Sequence, residues 1–275
     1  MSRWLSAVVG AVGFCALAAC NGDEEGMTAP VGTPTVTEVS SEEWGRLRGR
    51  RIFFGHQSVG ADILAGVEEI LKQRPEIALR VVETADPTQM KPPGLYHARV
   101  GRNGAPLTKL AAFVGIASAG VGDSGTALLK YCYIDITGDT DPDALFEAYQ
   151  RSVDSLRVAN PGLTILHLTL PLQTDWGEYF HWKRVIRGKL TTHRELNAIR
   201  HAYNMRLRQA YAGREPIFDV AHWQSITPDG TVHSVRFRGA RVPILARRWT
   251  SDGGHLNAEG RRWVGEAFLV ALARL

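Results

Sequence analysis

The segment Arg51–Leu64, RIFFGHQSVGADIL, decides the fold and raises the question of function. Arg51–Phe54 reads as a short β-strand because Ile and Phe dominate it. A polar turn follows, and Gly60–Gln73 then repeats apolar residues at helical spacing. A strand, a tight turn and a helix in this order predict the start of an α/β unit. Ser58 therefore stands at the end of a strand, where its hydroxyl either caps the helix or attacks a substrate.

The rest of the chain continues this alternation. Further strands are predicted at Ile77–Val82, Ala127–Ile136, Leu163–Leu170 and Pro216–Val220, and further helices at Asp143–Val158, Thr191–Tyr211 and Asn257–Leu275. The pattern predicts a mostly parallel, five-stranded sheet with helices on both faces. Ligands of such sheets bind beyond the carboxyl ends of the strands. Ser225–Trp249, rich in Arg and β-branched residues, predicts a hairpin or flap.

The N-terminus has the pattern of a bacterial lipoprotein signal. Arg3 precedes an apolar run that ends in LAAC at residues 17–20, and the run is shorter than the roughly 20 residues of a membrane-spanning helix. LAAC resembles a lipobox, which implies cleavage before Cys20 and attachment of lipid to its thiol. The alternative is an ordinary signal peptide with a cysteine near its cleavage site. We expect a signal peptide over residues 1–19 and a membrane anchor at Cys20.

A polar segment separates this signal from the predicted domain. Residues 20–41 are rich in Thr, Pro and Gly without periodicity, which predicts a flexible tether before a domain at 42–275. With Cys15 removed and Cys20 lipidated, only Cys132 remains, and no internal disulfide is expected. Cys132 lies in an apolar run and is predicted to be buried rather than nucleophilic. The expected location is the bacterial cell envelope, on its periplasmic or extracellular face.

Composition and charge exclude some classes of function. The chain of 275 residues is 44% apolar and 22% charged, as expected of a globular domain. Its net charge is +4, but the basic residues are scattered and form no basic helix, so nucleic-acid binding is not expected. His181 and His193 lack the spacing of metal motifs, and neither a metal nor another cofactor is expected.

A second polar turn lies near the other end of the chain. The loop Ser251–Gly260 reads SDGGHLNAEG and places Asp252 and His255 just before the last predicted helix. A carboxylate at this spacing can hydrogen-bond the imidazole, fix its tautomer and stabilise its protonated form, as the base of a nucleophile requires. For an isolated Asp-x-x-His motif, the alternative is that both side chains merely cap the helix.

Ser58 after the first strand and DGGHLN before the last helix together resemble the SGNH (GDSL-like) hydrolase superfamily. The resemblance covers Arg51–Leu275 through the order of its elements, and it implies a flavodoxin-like three-layer α/β sandwich. It also implies a catalytic triad of Ser58, His255 and Asp252. Such a triad hydrolyses esters through an acyl-enzyme and needs no cofactor.

The turn before Ser58 departs from the family's Gly-Asp-Ser. It reads GHQS at residues 55–58, with one extra residue between glycine and serine. His56 and Gln57 are predicted to line the pocket as hydrogen-bonding residues. A literal Gly-Asp-Ser occurs at residues 122–124, but it precedes a predicted strand. Its serine would lie at the wrong end of the sheet, and we reject it as the nucleophile.

Donors to an oxyanion are expected from several places. The N–H groups of Ser58 and its neighbour lie at a helix N-terminus. The family's second motif supplies a glycine, and VGRNGAP at residues 100–106 offers Gly101 or Asn103. Its third motif supplies an asparagine where this chain has Asp135, and an ionised carboxylate cannot donate. Either Asn103 supplies the side-chain donor, or Asp135 has another role, or the oxyanion hole is weakened.

An aromatic segment follows the fourth predicted strand. It contains Trp176, Tyr179, Phe180 and Trp182, and it predicts either a surface that stacks on sugar rings or a hydrophobic lid. The envelope location and the resemblance to SGNH hydrolases together imply a carbohydrate or envelope-polysaccharide O-deacetylase. The alternatives are an O-acyltransferase with the same triad and a non-catalytic glycan-binding lipoprotein on the same fold.

Overall fold

The computed structural model describes residues 35–177 and 191–275. Its main strands are β1 Arg51–His56, β2 Val81–Glu83, β3 Gly94–Arg99, β4 Thr126–Leu129 and β5 Thr164–Ile165. They form one five-stranded sheet in the order β2-β3-β1-β4-β5, and every neighbouring pair is parallel. The predicted parallel α/β sheet is confirmed.

Two further short strands are β6 His167–Leu168, which follows β5 along the chain, and β7 Ile217–Phe218. They pair with each other in parallel. The amide of Leu166, between β5 and β6, still donates to a carbonyl of β4. The predicted strand Leu163–Leu170 is therefore present as two pieces, and the one predicted at Pro216–Val220 is present as β7.

Helices cover both faces of the sheet. They are α1 Ser41–Arg48, α2 Ser58–Gln73, α3 Pro106–Gly120, α4 Pro142–Ala159, α5 His193–Tyr211, α6 Val220–Ser225 and α7 Ala258–Ala273. Residues of α2 and α7 share a buried cluster with Ile52 and Phe54 of β1, whereas α3, α4 and α5 share a second cluster with Phe53. Successive strand side chains point to opposite faces, so β1 is buried on both sides. The predicted three-layer sandwich is confirmed.

The sheet contains one central strand that the sequence analysis missed. β3 carries Gly94, His97 and Arg99, and so lacks the continuous apolar run expected of a buried strand. The second predicted strand, Ile77–Val82, is reduced to β2 at the sheet edge, because a 3-10 turn ends at Ile77 and Ala78 takes a left-handed conformation. Helix α3 was missed too, since its small and apolar residues blur the helical period.

The strand predicted at Ala127–Ile136 is too long. β4 ends at Leu129, and a 3-10 turn follows at Tyr133–Asp135. The Asp135 carboxylate accepts the Cys132 N–H at 2.7 Å, which folds the chain back at this point.

The hairpin expected between Ser225 and Trp249 is present as β8 Ser234–Phe237 and β9 Ala240–Pro243, which pair antiparallel. At the N-terminal side, Val36 and Val39 are buried, and the Val36 N–H donates to a carboxylate of α7. The packed chain thus includes residues that the sequence analysis assigned to the tether. No helix in the described ranges is long and apolar enough to cross a membrane.

The order of strands places a crevice at the carboxyl end of β1. The chain leaves β1 for β2 and β3 on one side, and later adds β4 and β5 on the other. Loops that leave neighbouring strands in opposite directions open a cleft between them, which is where ligands bind in such sheets. Ser58 and the turn after β4 lie at this end.

Candidate active site

Ser58 is the first residue of α2, directly after the strand that crosses the centre of the sheet. The N-cap residue is Gln57, whose carbonyl accepts the N–H groups of Gly60 and Ala61. Ser58 therefore has no capping role. Its Oγ instead lies 3.0 Å from Nε2 of His255, a residue 197 positions away in the chain.

His255 is oriented by the turn that contains it. Its Nδ1 lies 2.6 Å from Asp252 Oδ2, and Asp252 Oδ1 accepts the backbone N–H groups of His255 and Gly254 at 2.8 and 2.9 Å. Since Nδ1 is the nitrogen that faces a carboxylate, we assign its proton there, which leaves Nε2 as an acceptor for the Ser58 hydroxyl.

The Asp252 carboxylate remains ionised over a wide range of pH. Partial burial raises its pKa, but hydrogen bonds from the His255 ring and from the backbone of Gly254 and His255 outweigh that effect and lower the pKa to about 2. A permanent negative charge beside Nδ1 favours the imidazolium that forms when Nε2 takes a proton.

Tyr133 completes this side of the site, and the sequence analysis did not single it out. Its hydroxyl lies 3.4 Å from His255 Nε2, and its ring meets the imidazole edge-on at 5.7 Å between centroids. Burial raises the pKa of Tyr133 to about 12, so the hydroxyl keeps its proton. The ring also lies against Gly254, where a Cβ would come within 2.8 Å of it.

Cys132 is buried, as expected from its apolar neighbours, but it also faces the site. Its Sγ lies 3.9 Å from Ser58 Oγ. The thiol thus forms the wall next to the serine on the β4 side. An aromatic–cysteine–aromatic sequence directly after a strand that ends at the cleft was the available signal for both Cys132 and Tyr133.

Asp135 does not face the site. Its side chain is fully buried and pairs with the equally buried Lys109, whose Nζ lies 2.8 and 2.6 Å from the two carboxylate oxygens. The same oxygens accept the N–H groups of Gly104 and Cys132. Asp135 therefore ties together the loops after β3 and β4 and the first turns of α3, and it is not a substitute for an oxyanion donor.

The same lysine orients Asn103. Lys109 Nζ donates to Asn103 Oδ1 at 3.0 Å, so the NH2 group of the amide points away from the ion pair. Among the described residues, neither that NH2 group nor the Gly101 N–H has a hydrogen-bond partner. Both remain available to donate to a ligand.

Gly101 is required by the geometry of this loop. Its φ is +60°, and a Cβ would lie 2.5 Å from the backbone nitrogen of Lys109. Gln57 holds the loop next to Ser58, because its Nε2 donates to the carbonyls of Val100 and Gly101 at 2.9 and 3.2 Å. Gln57 is thus a link between the two halves of the site.

His56 lies beneath the site rather than in it. Its side chain is buried, Nδ1 lies 2.8 Å from the Gln57 carbonyl, and Nε2 lies 3.1 Å from Nδ1 of His97. Burial lowers its pKa to about 3, so the ring is neutral. The expected pocket-lining role does not fit this position.

Lys130 is a second buried lysine at the end of β4. Its side chain is fully buried, and its Nζ donates to the Tyr131 carbonyl at 2.9 Å. No carboxylate in the described ranges lies within ion-pair distance of it. Burial lowers its pKa to about 8. A cation with a single acceptor in the interior is costly, unlike the paired Lys109.

The remaining residues named in the sequence analysis lie at the opposite end of the sheet, next to the turn of His255, or outside the described residues. The rejected Ser124 accepts a bond from Arg51 at the amino-terminal end of β1, opposite the site. Trp176 lies next to the turn that carries Asp252 and His255, since a Cβ at Gly253 would approach its Nε1 to 2.5 Å. His181 and the other aromatic residues of that segment, Tyr179, Phe180 and Trp182, lie outside the described residues. Within the described ranges, no group of three or more His, Cys, Asp or Glu residues could hold a metal ion.

Comparison with known proteins gives a likeness of fold. No family model and no curated protein matches the chain. A lipase/acylhydrolase from Enterococcus faecalis is 10% identical over 80% of this chain and 93% of its own, with a TM-score of 0.49. An acetyl esterase mutant crystallised with acetate is 12% identical over 82% and 98%, with a TM-score of 0.47.

A third similar structure is the periplasmic domain of a lipopolysaccharide acetyltransferase from Salmonella ser. Paratyphi A. It is 12% identical over 79% of this chain and 81% of its own, with a TM-score of 0.42. At such identities the similarity concerns the fold alone. The chain is thus similar in fold to a lipase/acylhydrolase and to an acetyl esterase.

Proposed function

We propose that this chain is an exported serine ester hydrolase of the SGNH type, which removes O-acetyl groups from carbohydrate or envelope polysaccharide. The observation that carries the proposal is the hydrogen-bonded series Ser58–His255–Asp252, with distances of 3.0 and 2.6 Å. A serine, its base and a carboxylate that orients the base are the parts that nucleophilic acyl transfer requires.

In the first step, Ser58 Oγ attacks the acyl carbonyl carbon while His255 Nε2 takes the hydroxyl proton. The carbonyl π electrons move to oxygen, and the tetrahedral intermediate carries a negative charge there. Collapse of the intermediate breaks the bond to the alcohol, which leaves with the proton from Nε2. Water then repeats the sequence on the acyl-enzyme and releases the acid. The charge of Asp252 stabilises the imidazolium in both halves.

The oxyanion is stabilised by donors from two sides of the cleft. The N–H of Ser58 is free of helical partners because it belongs to the first turn of α2. We assign the other donors to the Gly101 N–H and the Asn103 NH2 group, which have no hydrogen-bond partner among the described residues and belong to the loop that Gln57 holds next to Ser58. The ion pair of Asp135 with Lys109 supports this assignment, because it gives the carboxylate a partner other than the oxyanion.

Hydrolysis is favoured over transfer because the triad is open to water. The side chains of His255 and Asp252 are 40% and 55% exposed. A transferase must exclude water from its acyl-enzyme, whereas a hydrolase must admit it. An O-acyltransferase with the same triad is distinguished by product that forms only when a sugar acceptor is added.

The location is proposed from the N-terminal sequence. A short apolar run that ends in LAAC supports export and attachment to a membrane through lipid on Cys20. Residues 20 to about 35 would then tether the domain to the bilayer. Metabolic labelling with a fatty-acid analogue, lost in Cys20→Ala, tests this anchor. Label retained in that variant would overturn it.

The experiment for the activity uses the full-length chain with a fluorophosphonate probe and p-nitrophenyl acetate. Ser58→Ala should abolish both labelling and turnover, and His255→Ala should reduce turnover by at least about a thousandfold. Ser124→Ala, at the opposite end of the sheet, is the matched control and should behave as wild type. Equal labelling of wild type and Ser58→Ala would refute the proposed nucleophile.

A further inference from the structure

Tyr133 places a hydroxyl beside the base, and the triad alone gives it no role. This hydroxyl lies 3.4 Å from Nε2 of His255, whereas Ser58 Oγ lies 3.0 Å from the same nitrogen. A neutral imidazole protonated on Nδ1 has one acceptor position at Nε2, and the nearer serine hydroxyl occupies it. Among the described residues, the Tyr133 hydroxyl has no other hydrogen-bond partner. Its O–H is therefore left to donate to a ligand that comes close to Nε2.

The backbone holds Tyr133 firmly in place. The residue opens the 3-10 turn after β4. Before it, the Cys132 N–H donates at 2.7 Å to the carboxylate of Asp135, which is itself fixed by the buried ion pair with Lys109. The Tyr133 carbonyl accepts a hydrogen bond from Nη2 of Arg200 at 2.8 Å. Because the chain is tied down on both sides of this residue, its side chain starts from a fixed point beside the base.

The turn that carries His255 leaves room for the ring of Tyr133. A Cβ at Gly254 would lie 2.8 Å from Cζ of that ring and 3.0 Å from its hydroxyl oxygen. Gly253 needs glycine for its backbone, since its φ is +90°, but the φ of Gly254 lies outside the left-handed region. The tyrosine ring is therefore what excludes a side chain at Gly254, and the turn of the base is fitted to it.

The place beside Nε2 is also the one that the leaving oxygen must take. To receive the proton of the imidazolium, the oxygen of the departing alcohol has to come within about 3 Å of Nε2. An oxygen there can reach a hydroxyl that is itself 3.4 Å from the same nitrogen. Burial raises the pKa of Tyr133 to about 12, so this hydroxyl acts as a donor at neutral pH and not as a base.

We propose that Tyr133 is a catalytic residue whose hydroxyl donates a hydrogen bond to the oxygen of the leaving alcohol, which suits the site to esters of weakly acidic alcohols. The inference rests on the proposed function, because it adds a group to the same reaction. When the tetrahedral intermediate collapses, the bond between the carbonyl carbon and the alcohol oxygen breaks, and its electron pair goes to that oxygen. Nε2 of His255 delivers the proton that it took from Ser58. Tyr133 stabilises the negative charge that develops on the oxygen and keeps its own proton.

The test compares the full-length wild type with Tyr133→Phe on acetate esters whose alcohols differ in acidity. p-Nitrophenyl acetate releases a stable phenolate that needs little assistance, ethyl acetate releases a strongly basic alkoxide, and trifluoroethyl acetate lies between them. The measured quantity is kcat/KM from the release of acid, because it includes only the steps up to formation of the acyl-enzyme. We expect Tyr133→Phe to lower kcat/KM roughly ten- to a hundredfold for ethyl acetate and by less than about threefold for p-nitrophenyl acetate.

Tyr131→Phe is the matched control. Tyr131 is buried, and its hydroxyl has no hydrogen-bond partner among the described residues, so its removal should leave the ratio between the three esters unchanged. Retained turnover of p-nitrophenyl acetate shows that the site of each variant is folded.

Two results would overturn the role of Tyr133. One is an equal loss, or no loss, on all three esters in Tyr133→Phe, since a residue that acts only on His255 or on the fold does not distinguish leaving groups. The other is a wild type that turns over p-nitrophenyl acetate but not ethyl acetate. In both cases the hydrolase itself would stand, whereas a wild type without turnover of any of these esters would refute the hydrolase and this role with it.

Discussion

At the scale of single residues, Asn103 offers the sharpest test of the oxyanion hole. Asn103→Asp keeps an oxygen for Lys109 to bind, so the fold should persist, but it replaces the donating NH2 group by an acceptor. Loss of one such donor costs about 3–4 kcal/mol in known cases. We expect kcat to fall by roughly a hundred- to a thousandfold, with little change in KM.

Steady-state kinetics with p-nitrophenyl acetate measures this effect. Gln209→Glu adds the same charge to an exposed position of α5 and serves as the control. A change in KM alone, or an equal fall in kcat in both variants, would show that Asn103 does not bind the oxyanion.

Lys130 gives a prediction about stability and pH. The folded chain releases this proton near pH 8, and the unfolded chain near its ordinary value of 10.5. Between these values the unfolded state binds more protons, so the contribution of Lys130 to stability rises with pH across that window. Below pH 8 the buried charge costs about 3 kcal/mol, at about 1.4 kcal/mol per pKa unit.

Lys130→Met should therefore be more stable than wild type at pH 7, and this advantage should shrink as the pH approaches 10. Urea unfolding of both proteins at several pH values measures the difference. A constant difference across the window would mean that the folded chain holds this proton as strongly as the unfolded chain does.

At the scale of elements, the contact between α2 and α7 positions Ser58 relative to His255. A Cβ at Gly66 of α2 would lie 1.9 Å from the Arg261 carbonyl oxygen of α7, and a Cβ at Gly265 of α7 would lie 2.9 Å from the Gly66 backbone. Gly66→Ala must push the two helices apart, and we expect a loss of about 1–3 kcal/mol in stability. Because α2 begins at Ser58 and α7 follows His255, kcat should fall as well.

Gly115→Ala on α3 is the matched control. A Cβ at Gly115 meets nothing within 4 Å, so this substitution should be neutral or stabilise the helix by up to about 1 kcal/mol. Thermal unfolding and p-nitrophenyl acetate turnover distinguish the two variants. If Gly66→Ala were as stable and active as Gly115→Ala, the helices would not need this close approach.

The parts of the fold that follow from local sequence were predicted, and those that depend on distant partners were not. β1, α2 and the final loop and helix each carry their own signal, in apolar runs, helical spacing and the Asp-x-x-His motif. The ion pair of Lys109 and Asp135 joins residues 26 positions apart on elements whose boundaries were missed. Without it, neither the early end of β4 nor the orientation of Asn103 could be inferred.

At the scale of the whole molecule, thermal stability should not depend on whether the solution is reducing. Cys132 is a free, buried thiol, and the described chain contains no disulfide. The unfolding temperature should therefore be the same with and without a reducing agent. If the reducing agent lowered the unfolding temperature by several degrees, a disulfide that involves residues outside the described ranges would be indicated.

The thiol of Cys132 lies where its chemical reactivity can be used as a probe of the candidate site. Cys132 Sγ lies 3.9 Å from Ser58 Oγ, beneath the surface that a substrate would cover. Because Cys132 is buried, a thiol reagent can reach it only after the packing around it opens, so the rate of its modification reports such local openings next to Ser58. A bound acyl group or glycan would slow the modification of this thiol. Occupancy of the site could then be followed by thiol reactivity in the absence of any turnover.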